Sequence, residues 1–176
     1  MTSRSYLSVL ALGITLGAVG CGKDSPTTPT PAADPKFTAT LLPSNEVPAV
    51  SNAEQSGSGT VTITMHNTKD AAGNITASTA DFTFTLSGFP AGTTLTAAHI
   101  HPGAAGVNGS PAWNLALVSG ANVLTNGSIT LTVNGVTPTD VATAQAIINN
   151  PAGFYFNVHT TLNTGGVARG QLVKTN

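Results

Sequence analysis

Residues 59–67 read Gly59-Thr60-Val61-Thr62-Ile63-Thr64-Met65-His66-Asn67. Val61, Ile63 and Met65 take every second position, and threonines fill those between. A strand sends successive side chains to opposite faces, whereas a helix would scatter this pattern around its circumference. The stretch is a half-buried β-strand with a threonine outer face, and His66 falls on that face near the strand end. Neighbouring segments repeat the rule. Residues 37–41 alternate and stop before Pro43, and residues 75–86 set Phe82, Phe84 and Leu86 opposite Asp81, Thr83 and Thr85. Asp70 and Gly73 mark the hairpin that joins residues 59–67 to residues 75–86.

The alternation continues downstream. In residues 93–101, Leu95, Ala97, His99 and His101 share one face, and Thr96, Ala98 and Ile100 the other. Trp113, Leu115 and Leu117 alternate, as do Ile129, Leu131 and Val133. Trp113 reads as a core residue. In residues 154–160, Phe154, Phe156 and Val158 point inward, leaving Tyr155, Asn157 and His159 on the second face. A last strand over 167–173 is interrupted at Arg169-Gly170. Residues 139–150 break the pattern and predict a helix: Thr139 or Asp140 caps it, Val141, Ala144 and Ile148 form its stripe, and Pro151 stops it. About eight short strands with one helix near 140–149 indicate an all-β fold, an antiparallel sandwich or Greek-key barrel.

Composition agrees. The chain has 176 residues, with 19 glycines and only 7% charged residues, which suits a turn-rich β-domain and not long solvated helices. Its net charge of −1 offers no basic patch to neutralise phosphates, so nucleic acid is not an expected partner. The single cysteine, Cys21, excludes an internal disulfide and any cysteine-cluster metal site.

The first 20 residues have the layout of a secretory leader, with Arg4 ahead of an apolar segment from Tyr6 to Val19. Ala18-Val19-Gly20-Cys21 then resembles a bacterial lipobox, in which the cysteine is lipidated and becomes the mature N-terminus. Acyl chains anchor firmly, since each buried CH₂ adds about 0.8 kcal/mol. Residues 21–36 carry Pro26, Pro29, Pro31 and Pro35 among threonines and alanines, the composition of an extended tether. The expected order is leader (1–20), lipidated Cys21 with tether (21–36), then one domain (37–174). The expected location is the cell envelope, on the outer membrane if the cell is Gram-negative. The expected partners are the membrane and an unidentified protein or small ligand.

Ala98-His99-Ile100-His101-Pro102-Gly103 holds the most suggestive chemistry, because i and i+2 of a strand project from one face. His159, on another strand, could join them. Three imidazoles suit copper or zinc and leave a fourth position open. The alternative role for these histidines is hydrogen bonding to loop backbone, closing one end of the barrel. Glu46 and Arg169 are candidates for ligand contact or for a structural ion pair, and Asn157 for a bond to loop backbone. Nucleophilic catalysis lacks a basis: no Gly-x-Ser-x-Gly elbow and no phosphate loop are present, and the seven acids are scattered. A non-enzymatic binding module is therefore expected, with a copper or zinc domain as the alternative.

Four motifs appear in order: Leu42-Pro43-Ser44-Asn45-Glu46-Val47-Pro48; Ala98 to Gly103 with Gly106 and Gly109; Tyr155-Phe156-Asn157-Val158-His159-Thr160; and Gly166-Val167-Ala168-Arg169-Gly170-Gln171-Leu172. Together they resemble the CHRD domain, the module repeated in chordin and found singly in bacterial secreted proteins. The resemblance implies an immunoglobulin-like or related β-barrel. It implies no particular ligand, and growth-factor antagonism does not transfer to a bacterial lipoprotein by fold alone. Val167 stands where the family usually has an acid, so that acid's ion pair is lost. A fainter similarity links His99, His101, His159 and Arg169 to the copper ligands and anion-guiding arginine of copper–zinc superoxide dismutase. The bridging histidine, zinc loop and disulfide of that enzyme are missing, which argues against dismutase activity.

Overall fold

The computed structural model describes residues 33–118 and 120–176; the leader and Cys21 lie outside the described residues. Ten strands and one α-helix follow in order: β1 (Lys36–Leu41), β2 (Ser58–Lys69), β3 (Ile75–Ser87), β4 (Thr93–Pro102), β5 (Trp113–Leu115), β6 (Val123–Leu124), β7 (Ile129–Val136), α1 (Val141–Asn149), β8 (Phe154–Thr160), β9 (Ala168–Gln171) and β10 (Val173–Lys174). One antiparallel sheet runs β10-β1-β2-β3-β7. The other runs β5-β4-β8-β9, with β6 also on β4. Both sheets are open, so the architecture is a sandwich and not a barrel. Lys36, placed at the end of the tether by composition, already pairs with Thr64 of β2.

The strict alternation of β2 has its expected consequence. Val61, Ile63 and Met65 are fully buried, beside Phe37, Ala39 and Leu41 of β1 and Phe82, Phe84 and Leu86 of β3. The second sheet contributes Ile100, Trp113, Phe156 and Val158. Aromatic contacts bind the layers: Phe82 lies 6.0 Å from both Trp113 and Phe156, and Phe84 lies 5.5 Å from Phe156. Such pairs add about 0.5–1.5 kcal/mol beyond the area they bury.

Three expectations need correction. The pairing of β4 with β8 shifts register between Leu95 and Ala97. The extra residue of this bulge turns Leu95 to the core face with Ala98 and Ile100, away from His99 and His101. In α1, Ile147 and Ala144 are the buried pair and Ile148 only flanks the core, while Asp140 caps the helix by accepting from the Ala142 amide at 2.9 Å. The last strand breaks at Leu172 instead of Arg169-Gly170, because the chain there leaves one sheet for the other: β9 pairs with β8 and β10 with β1.

Candidate functional site

The second sheet has one apolar face toward the sandwich and one polar face toward loops. Register defines the polar face. His99 of β4 is opposite Asn157 of β8, which is opposite Arg169 of β9; His101, Tyr155 and Gln171 form the next row, and His159 is opposite Ala97. Period-two geometry thus brings five of the anticipated side chains onto one surface. The sixth, Glu46, reaches it from the loop after β1. Glu46, His101, Asn157, His159 and Arg169 are all more than nine-tenths buried.

The three histidines converge. One ring nitrogen from each of His99, His101 and His159 lies within 4.8 Å of the others, a spacing that could hold a metal ion. Two of the rings are oriented by loop backbone. His101 Nδ1 is 2.9 Å from the Gly109 carbonyl, and His159 Nδ1 is 3.0 Å from the Thr164 carbonyl. A carbonyl only accepts, so both Nδ1 atoms carry the proton and both Nε2 atoms present lone pairs. His99 Nδ1 then donates to His159 Nε2 at 3.1 Å. Loop-backbone bonding and convergence thus coexist, and the rings lie on a sheet face instead of closing a barrel end. Metal-binding histidines ordinarily have this kind of oriented second nitrogen.

Burial keeps the cluster neutral. It lowers the pKa of His99 from 6.5 to about 4, with His159 and His101 adding to the effect. It lowers His101 and His159 as well, against the bonds to Gly109 and Thr164. Neutral imidazole is the form that binds metal.

Arg169 is held by the loops. Its Nε donates to the Asn45 carbonyl at 2.6 Å and its Nη1 to Asn108 Oδ1 at 2.7 Å, and its guanidinium lies 4.7 Å from the Tyr155 ring centre. The opposed His101 ring stacks on Tyr155 at 4.8 Å and 2°. Glu46 Oε2 stands 3.9 Å from Arg169 Nε, an electrostatic contact without a hydrogen bond. The carboxylate that faces this arginine thus comes from Glu46, whereas Val167 is buried in the core. Desolvation outweighs the arginine and raises Glu46 to about 7. Glu46 also lies in the walls of two clefts, of about 480 and 250 Å³. Asn157 makes no side-chain hydrogen bond to loop backbone among the described residues, contrary to expectation. Its Oδ1, Glu46 Oε1, His101 Nε2 and Arg169 Nη2 are buried polar atoms without a partner among the described residues.

These shifts oppose one another. Each histidine, with its pKa lowered by folding, contributes stability that is complete above pH 6.5 and lost on acidification toward the folded value, about 4 for His99. Glu46, with its pKa raised from 4.5, contributes stability that is complete below that value and lost as pH rises through about 7. Glu46→Gln is therefore expected to steepen the rise in stability between pH 5 and 7, measured by urea unfolding at each pH. An unchanged profile would mean that Glu46 titrates as a solvated carboxyl.

Sequence reasoning missed several supporting residues. Asn108, Tyr155 and Gln171 sit in motifs already singled out, and Gln171 Nε2 donates to the carbonyls of Gly103, Ala152 and Phe154. Glu54 is 3% exposed and accepts from Thr160 Oγ1 at 2.7 Å and Asn163 Nδ2 at 2.5 Å. A carboxylate in an otherwise small, polar loop was the available signal.

Among the described residues no helix is long and apolar enough to cross a membrane. Neither a curated protein nor a solved structure matches the chain. The family model for the CHRD domain matches residues 37–172. That match covers every strand except β10 and the first residue of β1, and every residue of the polar face, and the chain belongs to the CHRD domain family.

Proposed function

We propose that this chain is a non-enzymatic extracytoplasmic CHRD module, held at a membrane by lipid on Cys21 and presenting its clefts beside Glu46 to a protein or small ligand. The extent of the family match carries this reading. It begins at residue 37 and leaves outside the module a leader-like segment, Cys21 and a proline-rich stretch. The polar face supports a binding role. It gathers imidazole, amide, guanidinium and carboxyl groups, but it holds no serine or cysteine nucleophile beside a base. Membrane fractionation of cells expressing Cys21→Ser tests the anchor: the variant should move to the soluble fraction, and continued membrane attachment contradicts lipidation.

A second reading rests on the converging imidazoles: the module takes up copper or zinc at His99, His101 and His159. Three neutral nitrogens, two of them oriented by backbone carbonyls, suit a borderline divalent ion better than calcium or magnesium, which prefer oxygen.

A further inference from the structure

We propose that the cation is bound by Nε2 of His101, Nε2 of His159 and Nδ1 of His99, and that its binding fastens the loops 103–112 and 161–167 over the polar face of the sheet. The proposal rests on the copper-or-zinc reading above and adds the ligand atoms and a consequence for the clefts.

The ligand atoms follow from what is already engaged. Gly109 and Thr164 carbonyls take the Nδ1 protons of His101 and His159, so only Nε2 of each ring has a lone pair to give. His101 Nε2 is buried without a partner among the described residues, and leaving such an atom unsatisfied carries a desolvation cost. A cation removes that cost. His99 Nδ1 lies 3.1 Å from His159 Nε2. Two nitrogens bound at about 2.0–2.1 Å on a tetrahedral ion are about 3.3–3.4 Å apart. The pair therefore already stands close to one edge of a coordination tetrahedron. When the ion takes the place of the shared proton, His99 changes tautomer and carries its proton on Nε2 in place of Nδ1, so the site gains the charge of the ion and releases no proton. His101, whose ring lies parallel to that of Tyr155, supplies the third corner. The neighbouring buried atoms fit the same assignment. Asn157 Oδ1 and Glu46 Oε1 are further lone-pair atoms without partners among the described residues, so that with His101 Nε2 three acceptor atoms face one donor group, the two N–H of Arg169 Nη2. Such an excess of electron-pair donors attracts a cation or the water bound to one.

The consequence for the loops is electronic. A metal on Nε2 withdraws density from the ring and makes Nδ1–H a stronger donor. The bonds to Gly109 and Thr164 tighten together. Those carbonyls belong to the loops carrying Gly106, in the wall of the larger cleft, and Gly166, in the wall of the smaller one. Metal occupancy thereby sets how firmly both clefts beside Glu46 are held in shape.

Amide hydrogen exchange of the purified protein, with Zn(II) or with EDTA, tests this beside calorimetric titration with the same ion. The probes are Val107 and Gly109 in one loop and Gly166 in the other, with Gly73 in the distant β2–β3 hairpin as control. At metal about 100 times Kd, an opening that must release the ion is suppressed by up to about 100-fold. Exchange at all three probes should slow by about tenfold or more, Gly73 should not change, and His99→Ala should abolish the protection. If Zn(II) binds but the loops exchange as before, the proposed fastening is wrong and the metal reading stands. If His99→Ala binds Zn(II) as tightly and gains the same protection, the assigned ligand set is wrong. If Zn(II) does not bind, both fall.

Discussion

Arg169→Ala is expected to lower the unfolding free energy by about 3–5 kcal/mol, the range for removing one partner of a buried charge pair. Arg169 is 2% exposed, yet among the described residues it makes only one electrostatic contact with a carboxylate. Its larger role is to join loops. Nε holds the Asn45 carbonyl, Nη1 holds Asn108, and the guanidinium packs on Tyr155. Alanine leaves those acceptors without a donor and Glu46 buried without a cation. The two residues therefore couple, and Glu46→Gln combined with Arg169→Ala should be less destabilised than the single changes summed. Urea unfolding measures both effects, with an unchanged slope against denaturant as the sign that stability alone has shifted. A loss below about 1 kcal/mol would place Arg169 with solvated surface pairs instead.

Phe156→Ala is expected to cost about 3–5 kcal/mol, the usual range for emptying a buried aromatic site. Phe156 is fully buried and meets Phe82 and Phe84 of the opposite sheet, so its ring forms a cross-link between layers. The neighbouring strands are pinned by their ladders and cannot collapse far into the space. Phe156→Leu, which keeps most of the volume, should lose much less. Thermal unfolding of the two variants separates these outcomes. Equal losses would show that ring geometry, and not filled volume, is what the interface requires. Because Tyr155 and Asn157 flank Phe156, the alanine variant should also loosen the polar face behind it.

The sheet pattern was legible where one rule governs a strand throughout. Val61, Ile63 and Met65, or Phe82, Phe84 and Leu86, report burial on one side by period two, and the structure follows them residue by residue. The rule fails where the backbone inserts a residue. Nothing in Thr94-Leu95-Thr96-Ala97 announces the bulge that puts Leu95 and Ala98 on the same side. It fails also where a short strand is shared between layers, as at Leu172, since alternation does not say which sheet a residue joins. For the site, His99 and His101 were placed together by local geometry. His159, 58 residues later in the chain, meets them only because β8 pairs beside β4 in the right register. That pairing is a long-range property. The backbone carbonyls of Gly109 and Thr164, which orient two of the rings, carry no side-chain signature at all.

The proposed uptake of copper or zinc by His99, His101 and His159 is open to a direct test. Calorimetric titration of the purified protein with Zn(II) and Cu(II), beside the His99→Ala, His101→Ala double variant, addresses it most directly. Loss of a partner that merely orients a ligand histidine already weakens metal binding by about 10–100-fold, so losing two ligands should weaken it by more than about 100-fold. The expected result is one ion per chain for the native protein and a collapse of that affinity in the double variant, with circular dichroism showing both folded. One ion bound equally well by both proteins, or no binding to the native protein, would contradict the claim.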